Sequence, residues 1–117
     1  MRIGELSERT AVSQRLLRYY EEQGLLAPLR EPSGYRSYRD SDINRVHRIR
    51  TLLAAGLNTA TIAHVLPCTI DTDGGLAAAC PDLLADLHRE RDRISAAIDE
   101  LNSAQHALDS IIAATNR

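Results

Sequence analysis

Residues 13–24 read SQRLLRYYEEQG, and the fold of the chain turns on how this stretch is read. Ser13 can cap the exposed amides of a helix start, and Val12 just before it fits a hydrophobic staple. Gly24 offers a left-handed residue for a C′ position, so the spacing predicts a helix from Gln14 to about Gln23. Upstream, Ile3, Leu6, Thr10 and the Ala11-Val12 pair recur at helical spacing and predict a short first helix over residues 2–10. Two short helices joined by three or four residues form a helix-turn-helix.

Downstream the character changes. Residues 25–39, LLAPLREPSGYRSYR, contain Pro28, Pro32 and Gly34, which exclude a helix, while Tyr35-Arg36-Ser37-Tyr38 alternates with period two. With Glu31-Pro32-Ser33-Gly34 as the turn, the stretch predicts a small β-hairpin. Asp40 or Ser41 caps a third helix with the stripe Ile43, Val46, Ile49, Leu52 and Leu53, ending at Gly56. A fourth helix is expected over about Thr59–Leu66, closed by Pro67. Residues 67–80, PCTIDTDGGLAAAC, show no periodicity and are expected to be a linker between a 1–66 head and a final helix over 81–114. Pro81 opens that helix from its first turn, with Asp82 near the positive helix terminus.

Alternate steps of three and four along this last helix give Leu84, Leu87, Arg91, Ile94, Ile98, Leu101, Gln105, Leu108 and Ile112. The seam is apolar except at Arg91 and Gln105, which is the pattern of a coiled coil. A lone helix with that stripe would leave it in water, so a second copy is the economical partner; a helix folded back on its own head is the alternative. The expected architecture is therefore mainly α: a winged helix-turn-helix head followed by a long dimerisation helix.

The 117 residues carry a formal net charge of −2, which looks wrong for a nucleic-acid binder until it is divided by position. Residues 1–50 have a balance of +3 and residues 51–117 a balance of −5. A basic front half suits phosphate and an acidic rear half does not. All fourteen cations are arginine, whose planar fork suits bidentate contacts to phosphate and guanine. The only aromatic residues are Tyr19, Tyr20, Tyr35 and Tyr38, so the core must rest on Leu, Ile, Val and Ala. Met1 is followed at once by a polar, charged helix pattern and no apolar run could span a bilayer, so a cytoplasmic protein without a membrane partner is expected.

A reading helix needs cations and hydroxyls projecting from its first turns. Gln14, Arg15, Arg18, Tyr19 and Tyr20 meet that need, while Leu17 points to the core. Arg36 and Tyr38 fall on one face of the second hairpin strand, where a wing would grip DNA backbone. No nucleophile–base pair, phosphate-binding glycine loop or metal-ligand cluster is present, so neither an enzyme nor a cofactor is expected.

Residues 3–66 resemble the amino-terminal signature of the mercury-resistance (MerR) family. The segments IGEL, VS…LRYYEEQGLL, SGYRSY and AGL…I..VL occur in the family order and spacing. The resemblance implies recognition-helix contacts at Ser13, Gln14, Arg15 and Arg18. It adds backbone contacts by Tyr20 and, less closely matched, Tyr19, and wing contacts by Arg36 and Tyr38. It also implies a homodimer through an antiparallel coiled coil, seated on an inverted repeat in promoter DNA and distorting that DNA for RNA polymerase. Ala11 departs from the glycine that the family often has in the turn; a positive φ there would cost about 1 kcal/mol.

The signal sensed is open. The family's metal sensors carry cysteines after the dimerisation helix, where this sequence stops, and the drug-binding members carry a further domain. Cys68 and Cys80 remain, and three readings stand: incidental thiols, a redox-responsive pair, or a metal site with His64 or His88. An effector-free repressor or an architectural DNA-binding protein is the competing function.

Overall fold

A computed structural model describes residues 1–117. It divides into two compact units, Met1–Ala77 and Ala78–Arg117.

In the first unit, α1 (Ile3–Thr10) and α2 (Gln14–Glu22) form the helix-turn-helix. Ser13 is extended, and its hydroxyl accepts the Leu16 amide at 3.1 Å. Ala11 closes α1 in the left-handed region, φ 58° and ψ 27°, so the strain foreseen for this position is present. The Ser7 hydroxyl donates to the Val12 carbonyl at 2.6 Å and fixes the turn. After α2, Gly24 (φ 75°) donates to Glu21 O and Leu25 donates to Tyr20 O, at 3.0 and 2.9 Å. This paired closure needs a left-handed residue, which glycine supplies without a Cβ clash.

Strands β1 (Leu29–Arg30) and β2 (Arg36–Ser37) pair antiparallel, with Leu29 opposite Ser37 and Arg30 opposite Arg36. Met1 exchanges both backbone hydrogen bonds with Tyr38, each at 2.7 Å, and so extends the wing by one line. Helix α3 (Ser41–Ala54) and α4 (Thr59–Val65) follow, α4 capped by the Asn58 side chain, which accepts from the Thr61 amide. The core is Leu6, Val12, Leu17, Tyr20, Leu25, Leu26, Tyr38, Val46, Ile49, Leu52, Ile62, Val65 and Leu66. Every helix of the head contributes at least one of these, which is how a head without Phe or Trp closes.

The segment expected to be an irregular linker is largely ordered. Helix α4 stops one residue earlier than expected, and Leu66–Cys68 make a 3₁₀ turn around Pro67. Two strands follow, β3 (Thr69–Thr72) and β4 (Gly75–Ala78), paired as a second small sheet. Two residues, Asp73-Gly74, join them, and Gly75 directly after the turn takes the positive φ, 114°, that only glycine adopts without strain. Buried Thr69 donates its hydroxyl to Leu66 O at 2.7 Å. Arg48 of α3 pairs with Asp71 at 2.8 Å and also donates to Thr69 O. These contacts explain why the hairpin falls with the head up to Ala77 and not in a separate linker. The arginine's hydrogen bond holds the Asp71 carboxyl below the usual carboxylate range.

The second unit is α5 (Pro81–Thr115), 35 residues long. At 1.5 Å per residue it runs about 50 Å. Arg89–Asp86 and Arg93–Glu90 ion pairs line its surface. Its only buried residue is Leu83. No helix of the chain is long and apolar enough to cross a membrane.

Candidate nucleic-acid interface

The face that α2 turns outward is decided by what it turns inward. Leu17 and Tyr20 are buried in the head. At about 100° per residue, the opposite face carries, in angular order, Gln14, Arg18, Glu22, Arg15, Tyr19 and Leu16. All six are exposed. Gln14 and Arg18 lie together at one edge, the guanidinium 3.4 Å from the amide oxygen of Gln14. The Gln14 amide nitrogen also leans toward Gly4 of α1, 3.6 Å from where a Cβ would stand. Ser13 is exposed, but its hydroxyl is engaged in the cap.

The wing lies beside this helix. Residues directly opposite in an antiparallel pair share a face, so Arg30 and Arg36 project to the same side. Glu21 of α2 sits within reach of both, 2.7 Å from Arg36 Nε and 3.7 Å from Arg30. The Arg36 contact is an ion pair without hydrogen-bond alignment, because buried Nε has no aligned acceptor. Glu21 thus offsets the repulsion between two facing cations. At the wing tip, Arg2 stacks over the Tyr35 ring, 4.2 Å from its centroid, and pairs with Glu31 at 3.3 Å. Arg2, Arg18, Arg36, Ile3, Gly34 and Tyr35 line one open concavity between the wing and α2.

Two of the expected contact residues are corrected. Tyr20 is 1% exposed and Tyr38 is 2% exposed, so both belong to the core. Burial holds both phenols above the usual tyrosine range, with the Glu21 carboxylate adding to the effect at Tyr38. The Tyr38 hydroxyl has no hydrogen-bond partner. Alternation placed Arg36 and Tyr38 on one strand face, but that face turns toward α2. Tyr19, in contrast, is 43% exposed. Arg2, Arg30 and Leu16 also stand on this surface and were not among the expected contacts. Arg30 follows from the hairpin register, Arg2 from the Met1–Tyr38 bonds beside the wing, and Leu16 from its angle on α2.

Along α5 the expected seam residues Leu84, Ile94, Ile98, Leu101, Leu108 and Ile112 are exposed in the single chain, together with Ile111. Leu87 is half-buried. Neither Cys68 nor Cys80 is a free thiol; both are disulfide-bonded. No three His, Cys, Asp or Glu side chains come together as a metal site, with His64 or His88 or otherwise.

A cationic helix face presented beside a two-stranded wing defines a winged helix-turn-helix protein. Residues 1–68 match the family described as MerR HTH family regulatory protein, and the chain belongs to this family of transcriptional regulators. Among relatives, heavy metal-dependent transcription regulator 2 of Rhizobium meliloti (strain 1021) is 33% identical over 77% of this chain. The matched stretch spans 64% of that relative, slightly under two thirds of its length. The regulator ZntR of Escherichia coli (strain K12) is 30% identical over 94% of this chain and 77% of its own. A MerR-family regulator from Bacillus cereus shares the fold with a TM-score of 0.68 at 22% identity, covering 94% of this chain and 78% of that one. HiNmlR, a MerR family regulator described as lacking the sensor domain and bound to promoter DNA, has a TM-score of 0.58 at 23% identity. That match covers 96% of this chain and 86% of the other.

Proposed function

We propose that this chain regulates transcription as a homodimer that binds an inverted repeat in promoter DNA and distorts it. The observation that carries the reading is the exposed row Gln14, Arg18 and Arg15 on α2, set beside a wing whose arginines flank the same helix. The helix enters the major groove, where a guanidinium can make a bidentate contact with guanine. Arg36 exchanges Glu21 for a phosphate, which fixes position without reading sequence. Two copies pair along the exposed α5 seam, and their separation sets the spacing of the half-sites. Bending or untwisting between half-sites would alter how RNA polymerase meets the promoter.

Cys68 and Cys80 are the redox-responsive element of this reading. In the oxidised state both are disulfide-bonded, and a dithiol reductant would supply two electrons and two protons to give two thiols. Reduction would remove the covalent restraint on the 67–80 segment while the Arg48–Asp71 pair still anchors its hairpin. The alternative is an effector-free repressor or an architectural DNA-binding protein that makes the same contacts without sensing.

In vitro transcription from the promoter flanking the gene, with footprinting of the same DNA, tests the reading. The expected result is a footprint over two inverted half-sites and a transcript level that changes on adding protein. Dependence of that level on reductant supports the redox element. A level that changes with protein but ignores reductant supports the effector-free alternative. No footprint on the flanking DNA would overturn the proposal.

A further inference from the structure

The outward face of α2 has two chemically different edges. At one edge Gln14 and Arg18 bond to each other, and Gln14 leans on α1. At the other edge stand Leu16, 39% exposed, and Tyr19, one turn further on. Arg15 lies between them. A single exposed leucine on a protein surface is unremarkable. This one stands within the first turn of a capped helix, where a reading helix meets base edges, and an exposed ring continues it. The same outward face carries Arg15 and Arg18 against one carboxylate, Glu22, so it suits a polyanion and the patch would meet duplex rather than an apolar protein partner. In the major groove the apolar group that a base pair offers is the C5 methyl of thymine.

We infer that Leu16, backed by Tyr19, is a specificity-determining residue that selects thymine through its C5 methyl group, next to the base pair met by Arg15. The inference rests on α2 being the reading helix. The half-site then combines a hydrogen-bonded position read by Arg15 with a thymine read by Leu16. Leu16 is not one of the buried core residues, so its replacement leaves the core side chains in place. Alanine keeps the helix propensity and leaves the Ser13 cap in place, because the bonded group is the Leu16 backbone amide.

The test uses the full chain and a duplex enriched by that chain from a random library. Each thymine of the half-site is replaced in turn by deoxyuridine, which lacks only the methyl group. One position per half-site is expected to weaken parent binding about fourfold, the worth of one buried methyl-sized group. Leu16→Ala should bind the thymine and uracil duplexes equally at that position, and the other positions should behave as in the parent. The inference falls if no uracil position loses its effect in Leu16→Ala while Arg15→Ala still relaxes sequence preference. If Arg15→Ala also leaves preference unchanged, the reading-helix assignment falls with it.

Discussion

Replacing Ala11 by glycine should stabilise the protein. Ala11 is the only residue other than glycine with a positive φ, at 58°. The left-handed region costs an L-residue about 1–2 kcal/mol, because its Cβ crowds the following carbonyl. Glycine removes that cost but enlarges the unfolded ensemble, which returns about 0.4–1 kcal/mol. The side chain is exposed and its removal opens no cavity, so no packing loss offsets the gain. The net is a gain of about 0.5–1 kcal/mol. With an unfolding entropy of about 2.1 cal/mol/K per residue over the Met1–Ala77 unit, Tm should rise by roughly 3–6 °C. Urea melts followed by far-UV circular dichroism should show a higher midpoint at unchanged m-value. A lower midpoint for Ala11→Gly would refute the left-handed turn and the strain assigned to it.

Three further substitutions probe other parts of the account. Ile98→Asp places a charge in the α5 seam and should raise the dimer dissociation constant roughly a hundredfold, which sedimentation equilibrium reads directly. Arg36→Ala should lower affinity for all duplexes about equally and reduce the salt slope by about one unit per half-site; titrations at several salt concentrations check both. Tyr38→Phe removes a buried hydroxyl that has no partner, so thermal melts should show equal or greater stability. Its DNA affinity should change less than about twofold, and a larger loss would return Tyr38 to the contact set.

The helix-turn-helix was legible because its signals are local. Ser13 caps, Gly24 terminates, and Leu17 falls inward at helical spacing. The wing was legible from Pro32 and Gly34, though alternation alone could not say which strand face turns inward. Tyrosine hydroxyls suggested contact, but in a chain without Phe or Trp the large rings are needed to fill the core. Tyr20 and Tyr38 do so. The second sheet was not foreseen because residues 67–80 show no periodicity and its strands are only four residues each. Its anchor, Arg48 to Asp71, joins residues 23 apart in sequence and leaves no local pattern. On α2 the arginines drew attention to charge, and Leu16 was passed over as one more apolar residue of a helix.

The central claim is that two copies of this chain read an inverted repeat through α2. An equilibrium titration of the parent and of Arg15→Ala tests it most directly. Two duplexes of equal length and composition are used at about 0.15 M salt, one with the enriched repeat and one with both half-sites scrambled. The parent should prefer the repeat by at least about a thousandfold and saturate it at two chains per duplex. Arg15→Ala should lose about 1–3 kcal/mol on the repeat and little on the scrambled duplex. Equal affinity of the parent for both duplexes, or saturation at one chain per duplex, would contradict the account.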